Sequence, residues 1–415
     1  MLRLAFTFLT LCAVPVLGAP PMGYTAKAPV TAPTRLDWSF VASNQSLTTL
    51  PMGFLDADYD SKKQSYELFI PPNLDLKKPA PAILFVSAGD EPQGWKAFEG
   101  PCKQLGFVFI GVRGAGNAVA FPKRVRIILD CFDDVRRQVP LDPDRTYITG
   151  LSGGGRMAVA VSFALPEYFG GCIPLVAAGN LRDESYLRHR AIERLSTALI
   201  TGTTDFNRGE VERWRGPFWK EIGIRSKVWV QPNMGHAIPP SATLSEAIKF
   251  MEEGKDARAA LAKKYPATRA AASEVASRED VAKALLAEGK VKLAGKGSGY
   301  PGLMLLKGVM ERWPDLEAAK EAKKILVEFE AKKEKPWEAD DIAEQRKYLV
   351  AEARSLTDYI LNGIPPASQY AKSRPDMARK AMGLWTQIVS DAPDSDEAKE
   401  GKKNLLELDK LAQKK

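Results

Sequence analysis

The chain has 415 residues, 45% hydrophobic and 27% charged, with a formal charge of +8. That length exceeds one ordinary domain, and the apolar share excludes a disordered chain. The positive charge comes with no basic cluster interleaved with aromatics, and lysines mix with glutamates along the C-terminal third, so it reads as solvated helix faces and not as a nucleic-acid surface.

The first residues, "MLRLAFTFLTLCAVPVLGAPP", carry Arg3, an apolar run from Leu4 to Leu17, and the small residues Val16 and Gly18. The pattern predicts a secretory signal peptide over 1–18, and hence a secreted or periplasmic protein. The run is short for a membrane helix, and no other stretch is long and apolar enough for one. Beyond it the cysteines are Cys102, Cys131 and Cys172. An odd number excludes a complete disulfide framework and points to buried, small apolar residues.

Residues 19–46 open with a stretch rich in Pro, Ala and Thr and read as a tether. From 47 to 252, short apolar runs alternate with helical segments. The runs are "SYELFI" (65–70), "PAILFVSAG" (81–89), "FVFIGV" (107–112), "RTYITG" (145–150), "CIPLVAAG" (172–179), "TALITG" (197–202) and "KVWVQP" (227–232); helices are predicted near 94–105, 123–138, 153–165 and 209–222. Continuous apolar runs are the signature of strands buried on both faces, so the expected class is α/β with a mostly parallel sheet. From 253 to 415 no strand-like run remains. Aligning Pro314 with Pro393 superposes Ala319 on Ala398, Lys320 on Lys399, Leu326 on Leu405 and Glu328 on Glu407. Each unit reads as helix, Pro-Asp turn, helix, which predicts an all-α region of tetratricopeptide-like pairs or a bundle of similar composition; 264–276 is a weaker third unit.

The chemistry centres on Gly150-Leu151-Ser152-Gly153-Gly154, a G-x-S-x-G with a strand before it and a helix after it. Such a turn exposes the serine hydroxyl, and its glycines let strand and helix pack closely. A hydroxyl needs a base, and the chain has two histidines. His189 sits in a charged helical stretch and is expected in solvent; His236, in "QPNMGHAIPP", follows the last strand and is the candidate base. The acid that orients it should lie between serine and histidine in the chain. Asp205, in "TGTTDFN", is the first choice and also suits a helix N-cap; Asp183 is the second, and Glu210 and Glu212 belong to the following helix. Oxyanion donors are expected from the N–H of Gly153 and from Ala88 or Gly89, with the Asp90 carboxylate awkwardly close. Trp95 and Trp214 are candidate substrate-binding residues, with core packing the competing role, as for Trp219. No metal-ligand spacing and no cofactor motif is present in the sequence.

From about 60 to 250 the chain resembles the α/β-hydrolase superfamily, and within it secreted esterases grouped with polyhydroxybutyrate depolymerases and feruloyl esterases. The residues that carry this are "SYELFIPP", "DRTYITGLSGGGRMA", "LPEYFGG", "TGTTDFN" and "MGHAIPP". The resemblance implies an ester hydrolase with Ser152 as nucleophile, Asp205 as acid and His236 as base, acting on a small-molecule or polymeric ester without a cofactor. It departs from many relatives at Ser87-Ala88-Gly89, where they carry His-Gly. Two other readings compete. One is a serine peptidase of the prolyl-oligopeptidase kind, which Ser-Gly-Gly-Gly fits but which usually has a large domain ahead of the hydrolase. The other is a non-catalytic envelope scaffold that binds a protein partner through the helical region.

Overall fold

The computed structural model describes residues 20–43, 55, 59–182, 184–265, 275, 277–295, 299–335, 337–365 and 368–413. The expected signal peptide (1–18), Asp183 and most of 264–276 lie outside the described residues. The strands are β1 (Gly23–Pro29), β2 (Ser65–Ile70), β3 (Ala80–Val86), β4 (Val108–Val112), β5 (Leu141–Leu151), β6 (Gly171–Leu175), β7 (Ser196–Gly202) and β8 (Arg225–Gln231). The helices that surround them are α1 (Trp38–Ser43), α2 (Trp95–Leu105), α3 (Phe121–Gln138), α4 (Gly153–Ala164), α5 (Ser185–Arg194), α6 (Gly216–Glu221), α7 (Ser241–Glu253) and α8 (Lys255–Lys264). The C-terminal region follows as α9 (Arg278–Ala294), α10 (Gly299–Arg312), α11 (Glu317–Glu330), α12 (Glu338–Asp358), α13 (Arg374–Asp391) and α14 (Asp396–Ala412).

One eight-stranded sheet runs in the order β1-β2-β4-β3-β5-β6-β7-β8. β1 and β2 are antiparallel to their neighbours and every pairing from β4 to β8 is parallel. The unbroken apolar runs follow from helices on both faces. In β3, Leu84 and Val86 enter the core shared with α3 and α4, while Ile83 and Phe85 enter the core shared with α2 and α7. The inner strands therefore feed two cores with alternate residues, as their period of two requires. Cys102, Cys131 and Cys172 are buried and unpaired.

The expected tether over 19–46 is folded where it is described. Residues 23–29 form the edge strand β1, in register with β2 from Gly23↔Ile70 to Pro29↔Ser65. Its signal is faint because only Ala28 is buried and its last residue is a proline, which an edge tolerates. The next residues are fastened to α3 by three fully buried carboxylates. Asp134 accepts from the Thr31 N–H, Asp130 from the Thr34 N–H and Tyr59 hydroxyl, and Asp133 from the Arg35 N–H and guanidinium.

Beyond the sheet the two Pro-turn units are real helix pairs, α10–α11 and α13–α14. Equivalent positions turn inward in both: Ala319 and Ala398, Ala322 and Gly401, Phe329 and Leu408. They do not stack into one repeat core. The first pair shares its core with α9, and the second with α12.

The expected boundary at 252/253 falls beside α8, whose buried Arg258 donates to the Asp144 carbonyl, Ser196 Oγ and the Tyr147 hydroxyl at the foot of the sheet. Further on, Arg312 of α10 pairs with Glu167 at 3.0 Å, both buried, and Lys292 of α9 bridges Glu193 and Glu288 at 2.6 and 2.9 Å. The predicted helix over 209–222 starts as a wide π-type turn, Glu210–Arg215, and a second such turn, Tyr359–Gly363, ends α12. The two meet so closely that a Cβ on Gly209 would lie 2.0 Å from the Gly363 carbonyl oxygen. Among the described residues no helix is long and apolar enough to cross a membrane.

Candidate active site

β5 runs into α4 through a single residue, Ser152, at φ 55° and ψ −116°. This is a costly conformation for a residue with a Cβ, and it persists only where the surroundings dictate it. Here the Ser152 N–H donates to the Leu175 carbonyl at 2.9 Å and its carbonyl accepts from Arg156 N–H at 3.2 Å. The glycines make the turn possible: a Cβ on Gly154 would stand 2.1 Å from the Val86 carbonyl oxygen, and one on Gly153 would stand 1.9 Å from Asn117 Oδ1. The serine is thus held at the carboxyl end of the sheet, where ligands of open α/β sheets bind.

Asp205 follows β7 and its side chain is fully buried. Thr201 Oγ1 donates to Asp205 Oδ2 at 2.7 Å, and the Asn207 N–H donates to Oδ1 at 3.1 Å. The same Oδ1 lies 2.8 Å from His236 Nδ1. An ionised carboxylate only accepts, so this contact places the proton on Nδ1 and leaves the Nε2 lone pair free. The two loops are brought together by backbone contacts. The N–H groups of Thr203 and Thr204 donate to the carbonyls of Gln231 and Met234, and the Asn233 N–H donates to Thr203 Oγ1. A Cβ on Gly202 would sit 1.9 Å from the Met234 carbonyl oxygen, so only glycine lets the histidine loop lie down on the end of β7.

Asp205 and His236 are therefore joined directly, while Ser152 Oγ makes no hydrogen bond to His236 among the described residues. In sites without substrate such bonds are often long and tighten when the reactive complex forms. The N–H groups of Gly153 and Ala88 carry no partner among the described residues, whereas the Gly89 N–H is engaged by Ser87 Oγ at 3.2 Å. Asp90 turns away from this corner: its Oδ1 accepts from the Gly116 N–H at 3.1 Å and its carbonyl from the Gly114 N–H at 2.8 Å.

The remaining candidates separate. His189 is not in solvent; its ring is largely covered and lies 3.4 Å from Glu193 on α5. The Trp95 ring is occupied by Tyr24, Phe69 and Phe109, at centroid distances of 5.0, 4.8 and 5.3 Å. Trp214 stacks on Tyr359 at 5.2 Å, and Trp219 is fully buried against Phe163. Glu210, expected simply as a helix residue, clasps the loop after β6: its Oε1 accepts from the N–H groups of Ala178 and Gly179, and its Oε2 pairs with Arg156. Sequence reasoning missed Phe206, whose ring lies flat on His236 at 4.0 Å while remaining 45% exposed. Its only signal was adjacency to Asp205. Among the described residues no cluster of His, Cys, Asp and Glu is placed to hold a metal.

The strand order, the serine turn between β5 and α4, and the helices on both faces define an α/β-hydrolase fold followed by a helical region. The chain is similar in structure to the S-formylglutathione hydrolase FrmB from Staphylococcus aureus, 16% identical with a TM-score of 0.36, over 45% of this chain and 92% of that one. It is also similar to Est1E from Butyrivibrio proteoclasticus, 14% identical with a TM-score of 0.36, over 48% and 97%, and to esterase PE8, 20% identical with a TM-score of 0.34, over 42% and 96%. No family model and no curated protein matches the sequence.

Proposed function

We propose that the chain is an exported serine hydrolase that cleaves carboxylic esters. The observation that carries this reading is the 2.8 Å contact of His236 Nδ1 with the buried Asp205 carboxylate, on loops at the same carboxyl end of the sheet as a serine held at positive φ. In the proposed reaction Ser152 Oγ attacks the ester carbonyl as His236 Nε2 takes its proton. The N–H groups of Gly153 and Ala88 receive the charge that develops on the carbonyl oxygen. Asp205 keeps the imidazole in the right tautomer and stabilises the imidazolium. Collapse of the tetrahedral species expels the alcohol, which takes its proton from His236. Water, activated by the same imidazole, then frees the acid from Ser152. The route needs no cofactor. Export rests on the pattern of residues 1–18, and the substrate is a small or polymeric ester.

The test is labelling of the mature protein with a fluorophosphonate, together with turnover of a short 4-nitrophenyl ester and of a peptide nitroanilide. The expected result is one labelled site, lost in Ser152→Ala, with ester turnover well above anilide turnover. Label that persists in Ser152→Ala removes the nucleophile assignment, and faster anilide cleavage replaces the esterase with a peptidase.

A further inference from the structure

Asn117, an exposed residue of the loop between β4 and α3, takes no part in the reaction proposed above. Three bonds nevertheless seat that loop on the corner assigned to the oxyanion. The N–H groups of Gly114 and Gly116 donate to the Asp90 carbonyl and to Asp90 Oδ1, at 2.8 and 3.1 Å, and the Asn117 N–H donates to the Ala88 carbonyl at 2.8 Å. Gly116 packs in so closely that a Cβ there would stand 2.9 Å from the Asp90 nitrogen and from the Gly89 carbonyl carbon. The Asn117 backbone is thus fixed against one assigned donor residue, Ala88. Its side chain reaches the other. The carboxamide fills the space that a Cβ on Gly153 would take, with Nδ2 3.0 Å from that position and Oδ1 nearer still.

That placement faces the right way. The Cβ atoms of a helix tilt toward its N-terminus, and the free N–H groups of its first turn point out of the same end. Gly153 opens α4, so an amide lying where its Cβ would be stands on the side to which its N–H is directed. By standard covalent geometry the Cβ position is about 2.5 Å from the Gly153 nitrogen, which puts Nδ2 no more than about 5.5 Å from it. An oxygen that accepts two N–H bonds of about 2.9 Å links donors up to about 5.8 Å apart. One carbonyl oxygen on the Gly153 N–H is therefore within reach of the Asn117 amide. The terminal torsion of asparagine is broad and two-fold, so a half-turn exchanges Oδ1 and Nδ2 without moving the backbone. The amide makes no hydrogen bond among the described residues, so the turn breaks none.

We propose that the Asn117 side chain is a third oxyanion donor, beside the N–H groups of Gly153 and Ala88. Its Nδ2 donates to the ester carbonyl oxygen as Ser152 Oγ adds to the carbon and the π pair of the carbonyl moves onto that oxygen. The assignment rests on the serine-hydrolase reading. Such a bond strengthens as charge grows, so it stabilises the transition state more than the bound ester. Asn117→Ala, Asn117→Asp and the unaltered mature protein are compared in three measurements: turnover of a 4-nitrophenyl ester, inhibition by an aryl trifluoromethyl ketone, and end-point labelling with a fluorophosphonate. The ketone is chosen because its adduct with a serine carries the same oxyanion. Asn117→Ala is expected to lower kcat/KM about a hundred-fold, to weaken the ketone by a similar factor, and to keep the full label. Asn117→Asp keeps the packing on Gly153 but sets an anion in place of the donor, and is expected to be slower than Asn117→Ala. Circular dichroism establishes that the variants are folded. With the label intact, an unchanged kcat/KM or ketone affinity in Asn117→Ala, or an aspartate variant faster than the alanine one, overturns this assignment alone. An unaltered protein that takes no label overturns the catalytic reading and this one with it.

Discussion

Asp205 meets three donors in the described structure, and one of them, the Thr201 hydroxyl, comes from the strand that ends just before it. That bond fixes the carboxylate oxygen that does not face His236. Thr201→Val keeps the shape and removes the donor, leaving Oδ2 buried without it. Hydrogen bonds to charged groups contribute about 1.5–3 kcal/mol, so a loss of stability of that order is expected in urea titrations. If the bond also positions the acid, kcat for a nitrophenyl ester falls while KM stays put; an unchanged kcat would make Thr201 a stability residue alone. At this scale the sequence carried much of the candidate site. Two histidines in the whole chain, one of them just past the last strand, and a serine between strand and helix leave few choices. It did not carry Phe206, Asn117 or Thr201. Their roles exist only once separate loops have been brought against one another, and nothing in residue type or spacing announces such a meeting.

The helix α3 shows what an element does beyond filling space. Its residues Asp130, Asp133 and Asp134 sit fully buried and hold the segment 31–35, which in turn follows the edge strand β1. Burial works to raise the Asp133 carboxyl; the hydrogen bonds from Arg35 and the charge of Arg137 outweigh it and hold the group below the ordinary carboxylate range. A carboxyl depressed in this way contributes stability that is fully present above its unfolded value, about 3.9, and is lost as the pH falls through its lower folded value. Asp133→Asn is therefore expected to release the N-terminal segment at neutral pH, seen as faster limited proteolysis near residues 31–35, and the unaltered protein should show the same cleavage on acidification. Equal protection of variant and parent would mean that Asp130 and Asp134 suffice. The inner strands β3, β4, β6 and β7 were readable because their runs are apolar and buried on both faces. β1 was not, since an edge strand with a single buried residue among Pro, Ala and Thr has no period to read. The buried aspartates were equally opaque: on a helix of mixed charge they look like a solvated face until the segment they grip is in place.

At the scale of the molecule, the C-terminal helices are bonded to the sheet body through buried charge. Arg312, Glu167 and Arg190 are almost fully enclosed, and Glu167 stands 3.0 Å from Arg312 and 3.6 Å from Arg190. Removing one member of such a set leaves its partner charged and out of water, at a cost of about 3–5 kcal/mol. Arg312→Met is expected to lower the urea midpoint accordingly, with one transition recorded by both far-ultraviolet dichroism and tryptophan emission. Two separate transitions would mean that the helices melt on their own. The change of composition near residue 253 was visible in sequence; the attachment was not, because ion pairs between positions 145 residues apart leave no local trace.

The bare backbone contact between Gly209 and Gly363 has a consequence for engineering. Gly209 lies four positions after the carboxylate assigned to orient the imidazole, and its neighbour across the gap belongs to the far end of the chain. A copy of the front half transplanted onto some other tail would meet a foreign side chain there, or a void. Joining the front half to another tail is thus penalised at a contact four residues from Asp205, and a redesign of either side has to keep the Gly209–Gly363 approach.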